Sequence, residues 1–385
     1  MPLDDTVRMY VCGVTPYAVG HVGHAMTYVT FDVLHRLFLK KRWLVKYVQN
    51  ITDIDDPLFT HAQKIGKPWH QVAEENIKQH LKDMNDLNIL LPDVMPKASQ
   101  EIDSILEIIE SLLHKGYAYE KQGTVYFDSS LFSGYGSLST LSEQEMITLS
   151  RKRGANPDDP AKKSKLDFIL WQTEQDDDKS WQSPWGKGRP GWHIECSAIA
   201  MKYLDNKIDI HGGGDDLIYP HHESEIAQSE SFSGIKPFAR FFMHVGSVLY
   251  KGHTMEKPEK MSKSQGNLVY TQDLLKRYSA NMVRLFLLNH YYRTPWEFKH
   301  DAVFTSASIE HLLNRASRKP SYMKREIDGA GVQLRFYNAL SDDLNTPAAI
   351  SILKEYAASI LYTKNSSQHA QARLKEMALI LGICL

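Results

Sequence analysis

The sequence predicts an α/β fold: a Rossmann-like nucleotide-binding sheet, interrupted by an insertion and followed by a C-terminal helical bundle. Three observations predict it. Residues 9–14 form an apolar run of strand length ending at Gly13 and Val14, and from His21 onward Val22, Ala25, Met26, Val29, Val33, Leu34 and Leu37 repeat with helical period. Residues 43–50 read as a second strand that ends in the polar run Asn50-Ile51-Thr52-Asp53-Ile54-Asp55-Asp56-Pro57. Strand, capping turn and helix is the pattern of a βαβ unit, whose ligands gather at the C-terminal ends of its strands. Beyond His300 the pattern is almost wholly helical.

Taken in order, the first half of the sheet domain occupies residues 1–115, with further helices over 68–87 and 98–115 separated by Pro92 and Pro96. Residues 116–190 change character to short strands such as 124–127, Gly and Ser turns and a charged loop around Asp176-Asp177-Asp178, and read as the insertion. The second half resumes over 191–299, with a helix at 191–203, a strand at 207–211, a glycine triplet 212–214 read as a tight turn that also allows close backbone approach to a ligand, and a strand at 237–248. Residues 300–385 form the bundle, with helices expected over 309–316, 332–340, 346–361 and 368–381.

Across 385 residues the formal charge is −1, so no global basic field draws the chain to nucleic acid, although Lys40-Lys41-Arg42 and Arg151-Lys152-Arg153 form local basic runs. No signal peptide opens the sequence and no apolar run approaches the roughly 20 residues of a membrane span. A cytoplasmic protein without a membrane partner is expected. Three scattered cysteines, Cys12, Cys196 and Cys384, do not make a disulfide framework.

His21 and His24 fall at i and i+3 on the opening turn of the first helix, beside backbone N–H groups that have no partner within the helix and attract phosphate. Gly20 and Gly23 allow a ligand near the backbone there. Asn50 and Thr52 are expected to point into the crevice at the end of the second strand, and Asp55 and Asp56 to cap the next helix rather than form an acid–base pair. Cys12, Cys196, His221 and Glu225 bring two thiols, an imidazole and a carboxylate; His221 and Glu225 are four residues apart, so they can face one point. That is a tetrahedral zinc set by ligand type. Spacing leaves open two buried cysteines and a core histidine, because the four come from three distant segments.

His-Val-Gly-His at 21–24 with Lys260-Met261-Ser262-Lys263-Ser264 resembles the two signature motifs of class I aminoacyl-tRNA synthetases, which implies their HUP-type Rossmann-like fold. Cys12-Gly13, the run Gly188 to Ser197, His211-Gly-Gly-Gly-Asp-Asp-Leu and Pro220-His-His-Glu-Ser-Glu-Ile-Ala-Gln-Ser look like cysteinyl-tRNA synthetase. Other stretches are similar to the sister cysteine ligases of mycothiol biosynthesis, which join cysteine to glucosaminyl-inositol: 12–17, 21–28, 48–58, 153–163 and 287–296. Glu225 departs from those ligases, which generally lack a carboxylate there. The short tail after Ser341-Asp-Asp-Leu-Asn-Thr-Pro347 leaves little room for an anticodon-reading portion, which favours the small-acceptor family.

The resemblance implies two steps. Cysteine binds through its sulfur to zinc on Cys12, Cys196, His221 and Glu225, and its carboxylate attacks ATP, accompanied by Mg2+. Its implied catalytic residues are His21, His24, Lys260 and Lys263. The implied adenylate-binding set is Gly13, Val14, Thr15, Thr27, Asn50, Ile51, Thr52, Trp192, Gly214, Asp215, Asp216 and Val248. An amino sugar is the expected acceptor of L-cysteine, tRNA the alternative, and a non-catalytic cysteine- or adenylate-binding protein the second alternative. His193 and His222, each beside a ligand in sequence, are expected to orient the ligands.

Overall fold

The computed structural model describes residues 5–252, 257–261, 266–320, 329–362 and 367–385. In chain order the elements are β1 (Thr6–Val14), α1 (Val22–Lys40), β2 (Leu44–Ile51), α2 (Asp56–Ile65), α3 (Trp69–Asp86) and α4 (Ile102–His114). β3 (Ala118–Lys121), β4 (Thr124–Phe127), α5 (Glu143–Lys152), β5 (Phe168–Thr173) and β6 (Gly188–Pro190) follow, then α6 (Trp192–Leu204), β7 (Ile208–Gly214), α7 (Glu223–Ser233) and β8 (Ala239–Val245). Next come β9 (Val248–Tyr250), β10 (Glu259–Lys260), α8 (Thr271–Leu275), α9 (Ala280–Leu288) and β11 (Trp296–Glu297). The last four are α10 (Thr305–Arg318), α11 (Gly329–Ser341), α12 (Thr346–Tyr362) and α13 (Gln368–Ile380). The chain forms two compact units, the first from residues 1–18, 45–77 and 92–244, the second from 19–44, 78–91 and 245–385.

In the first unit the sheet has the order β2-β1-β7-β8, and β1 and β7 run parallel with Met9 opposite Ile210 and Tyr10 opposite His211. β1 reads Thr-Val-Arg-Met-Tyr-Val-Cys-Gly-Val, with residues on both faces buried, as a central parallel strand requires. α4 lays Ile102, Ile105, Ile109 and Leu112 along one stripe, and these join Tyr10, Val48 and Ile199 in a single core. The predicted insertion is a separate four-stranded sheet, β3-β4-β5-β6, antiparallel throughout, with Trp171 fully buried.

The glycine triplet is not the turn that the sequence suggests. β7 continues through Gly214, and a Cβ on Gly213 would stand 2.8 Å from Leu217 and 3.3 Å from the His222 ring. These glycines let the next segment's side chains lie against the strand. The strand expected over 237–248 is broken into β8 and β9 at Gly246, where a Cβ would meet backbone of Thr294 and Pro295 at 2.8 Å.

The second unit holds α1, the small sheet β10-β9-β11 and the helices from α8 onward. Its centre is a buried ion pair. Nη2 of Arg284 lies 2.5 Å from Oδ2 of Asp32 on α1, with both side chains fully buried. The guanidinium also donates to the carbonyls of Leu381 at 2.8 Å and Leu87 at 2.9 Å. Asp32 accepts in addition from Arg36 Nε and from the Leu90 N–H. Gly382 has φ of 69°, and a Cβ there would sit 2.1 Å from Arg284, so that position has no space for a side chain.

Candidate active site

At the C-terminal end of β1, Cys12 meets Cys196 of α6, His221 from the turn before α7, and Glu225 of α7. One ligand atom from each lies within 4.8 Å of all the others, and all four residues are buried. This is the quartet expected from sequence. Cys12, His211, His222 and Glu225 form an overlapping set by the same measure. Nε2 of His221 lies 2.6 Å from Oε1 of Glu225, while the second carboxylate oxygen pairs with Nε2 of His211. Cys12 Sγ is 3.4 Å from Nε2 of His222.

The surrounding rings fix those side chains. Nδ1 of His193 is 2.9 Å from Nδ1 of His221, and Trp192 stacks on the His221 ring with centroids 4.5 Å apart. Nδ1 of His222 is 2.8 Å from Nε2 of His244. Burial by itself raises the thiols and carboxylate and lowers the histidines. Against its burial, the Cys196 thiol is brought down to about 6 by the Cys12 hydrogen bond and the His221 charge. Glu225, opposed in the same way by burial, is held at about 2 by His211 and His221. His221 rises to about 10 because Glu225 and Cys196 outweigh its burial, while burial and Cys196 push the Cys12 thiol well up. Two sulfurs, one imidazole and one carboxylate, two of them primed to be anions, fit a zinc ion in ligand type and number.

Gly13 sits where β1 passes β2: its N–H donates to Asn50 Oδ1 at 2.8 Å, and a Cβ would stand 1.6 Å from the Asn50 carbonyl oxygen. Asn50 donates in turn to Thr52 Oγ1 at 2.9 Å, and Thr52 N–H donates to the Val14 carbonyl at 3.0 Å. Asn50 and Thr52 are therefore buried braces of the strand end rather than open side chains. Ile51 is buried beside them, its N–H bonded to the Pro96 carbonyl at 2.9 Å. Thr15 Oγ1 is 3.5 Å from Asp55, which caps α2 through the Asp56 N–H. After β7, half-buried Asp216 accepts from Arg153 of the insertion at 3.1 Å, beside Gly214 and Asp215, also half-buried.

In the second unit, His21 is the N-cap of α1. Its Nδ1 accepts from the Gly23 N–H at 3.0 Å, and His24 Nδ1 faces the His21 N–H at 3.4 Å. The two rings stack with centroids 3.9 Å apart. A neutral histidine ring that accepts through Nδ1 carries its proton on Nε2. Gly23 is required by the cap itself, since a Cβ would meet the His21 ring at 2.8 Å. Thr27 bonds back to the Gly23 carbonyl at 3.2 Å. Val248 is buried at the start of β9, and Lys260 in β10 pairs with Leu249. Lys263 lies outside the described residues.

Sequence reasoning missed His211, which shares Glu225 with His221, and His244, which holds His222. His211 stood in a quoted motif at a strand end, and that was its available signal. His244 had none beyond its place in a strand.

A parallel sheet with two stacked histidines opening the first helix and a buried Cys, His and carboxylate centre defines a nucleotide-binding enzyme of the class I synthetase type. The chain belongs to the family described as tRNA synthetases class I (C) catalytic domain, which matches residues 2–308, and a DALR domain matches residues 335–385. A cysteine–tRNA ligase of Dehalococcoides mccartyi is 43% identical, the match covering all of this chain and 84% of that protein. One from Thermodesulfovibrio yellowstonii is 42% identical over 99% of this chain and 82% of its own length. The L-cysteine:1D-myo-inositol 2-amino-2-deoxy-alpha-D-glucopyranoside ligase of Thermobifida fusca is 40% identical over 99% of this chain and 90% of its own. Among solved structures, Mycobacterium tuberculosis methionyl-tRNA synthetase in complex with methionyl-adenylate matches with a TM-score of 0.68 at 17% identity, covering 98% of this chain and 89% of that one. That likeness concerns the fold. No helix among the described residues is long and apolar enough to cross a membrane.

Proposed function

We propose that this chain is an ATP-dependent cysteine ligase that forms cysteinyl adenylate and transfers cysteine to tRNA. The observation that carries cysteine as substrate is the buried quartet Cys12, Cys196, His221 and Glu225. A zinc ion held there supplies a soft partner for a thiol that a serine hydroxyl cannot match. Trp192 and His193 keep the His221 ring in place. His21 and His24 donate from Nε2 to the α-phosphate as charge develops on it, and Lys260 and Lys263 neutralise the departing pyrophosphate, with Mg2+ accompanying ATP. The family resemblance assigns adenylate binding to Gly13 to Thr15, Thr27, Asn50 to Thr52, Trp192, Gly214 to Asp216 and Val248. The acceptor then attacks the mixed anhydride and AMP leaves.

For the acceptor, the sequence reading preferred an amino sugar, and the balance of relatives favours tRNA. The amino-sugar reading stands second, on the Thermobifida fusca relative and on the 153–163 segment. The test is cysteine-dependent ATP–pyrophosphate exchange on zinc-loaded protein with serine as control, followed by tRNA or glucosaminyl-inositol and assay of AMP release. Exchange with cysteine alone supports the adenylation site, and AMP release names the acceptor. No exchange with either amino acid overturns the catalytic reading.

A further inference from the structure

α3 turns two ionisable side chains inward, His80 and Asp83, three residues apart and so on one side of the helix. They are 5% and 4% exposed. Nε2 of His80 and Oδ2 of Asp83 have no hydrogen-bond partner among the described residues, whereas the other Asp83 oxygen accepts from the Gln79 amide at 2.7 Å. Both face the turn that opens α1: a Cβ on Gly20 would stand 3.8 Å from Oδ2 of Asp83 and 3.9 Å from Nδ1 of His80. Tyr28, one helical turn beyond His24, sets its ring edge-on to His80 with centroids 5.3 Å apart. The pair therefore lies under the face of α1 that carries His24. From another side the same turn is pinned by Thr271 N–H to the Gly20 carbonyl at 3.0 Å and by Val22 N–H to the Val269 carbonyl at 2.9 Å.

Leaving a buried polar atom unpaired destabilises a fold, and apolar residues of similar shape avoid that cost. Groups kept in spite of it call for a reason beyond packing. Burial, with the charge of His24, keeps the His80 ring neutral, its pKa lowered to about 3. Burial, joined by Asp86 on α3 and Asp273 on α8, raises Asp83 to about 6 against the Gln79 hydrogen bond and the Lys82 charge. What remains is a carboxylate oxygen without a donor, next to the residue that precedes His21.

We propose that Asp83, with neutral His80 beside it, is a positioning residue for adenylate formation: its unpaired oxygen accepts from a donor on the Gly20–His24 turn when that turn takes up the ATP phosphates. Asp83 acts through the turn and touches no substrate. The inference rests on the reading of the chain as a cysteine-adenylating enzyme.

The experiment uses the full chain loaded with zinc, wild type beside Asp83→Leu and Asp83→Asn, in cysteine-dependent ATP–pyrophosphate exchange with separate KM for ATP and cysteine, together with thermal unfolding. Asp83→Leu is expected to lower kcat at least tenfold, with KM for cysteine within twofold and Tm unchanged or raised. Asp83→Asn keeps an acceptor oxygen and is expected to retain most of kcat. A kcat for Asp83→Leu within threefold of wild type overturns the proposal, as does an equal loss in both variants or a loss carried by KM for cysteine. Should Asp83→Leu not fold, Asp83→Ala is held to the same criteria. Absence of exchange in the wild type instead overturns the parent reading, and this inference with it.

Discussion

Nε2 of His221 and Oε1 of Glu225 stand 2.6 Å apart in a fully buried setting, four residues apart in the chain. With His211 on its other oxygen, Glu225 is clamped between two imidazoles. Glu225→Gln removes the charge and keeps the shape. Its zinc affinity is expected to fall about 10- to 100-fold, read by metal content and competition with a chelator. Unchanged affinity would show that Glu225 neither holds the ion nor orients His221 for it.

The stacked pair at the start of α1 gives a second prediction. His21→Ala and His24→Ala each remove one donor, and kcat for cysteine-dependent pyrophosphate exchange is expected to fall about 10²–10³-fold. KM for cysteine should not move. His21→Ala also loses the cap on the Gly23 N–H, so its Tm should fall more than that of His24→Ala.

Asp55 gives a pH dependence. Burial, then the neighbouring Asp56, raises its carboxyl from 3.8 to about 6. The folded state therefore holds a proton that the unfolded chain releases, so this group favours folding at low pH. Its contribution is lost as pH rises from about 4 through about 6. Asparagine still caps α2. Asp55→Asn is expected to raise stability on the order of 1–3 kcal/mol at pH 8 and to be nearly neutral at pH 4. Denaturant unfolding at the two values checks the sign.

Breaking the Arg284–Asp32 pair is a test of the second unit alone. Asp32→Asn or Arg284→Met leaves a buried charge or its partner carbonyls unanswered, with an expected cost of about 3–5 kcal/mol. A double replacement by apolar residues should recover part of that loss. Equilibrium unfolding of all three variants measures it.

Most of the architecture was legible because periodicity and chain punctuation agree. The expected helices over 332–340, 346–361 and 368–381 correspond to α11, α12 and α13 within a few residues. The grouping of Cys12, Cys196, His221 and Glu225 was legible through motif resemblance, since no spacing rule links Cys12 to Cys196. The partnership of His211 with Glu225 depends on which way a strand residue faces after the sheet is assembled, and a run of three glycines concealed that β7 continues. Gly23 looked like room for a ligand, but its space is taken by the His21 ring. His80 and Asp83 were invisible because α3 is a polar helix, and a polar residue on such a helix reads as solvated until packing buries it.

The clasp around Arg284 also bears on synthesis. Asp32 emerges from the ribosome before its guanidinium partner, which follows 252 residues later, and the Leu381 carbonyl that completes the cluster comes a further 97 residues on. Until Arg284 follows, the Asp32 carboxylate can be answered only from nearby in the chain, by Arg36 and the Leu90 N–H. The cluster around Arg284 therefore closes only once Leu381 has been made, after every helix that lies between them in the chain.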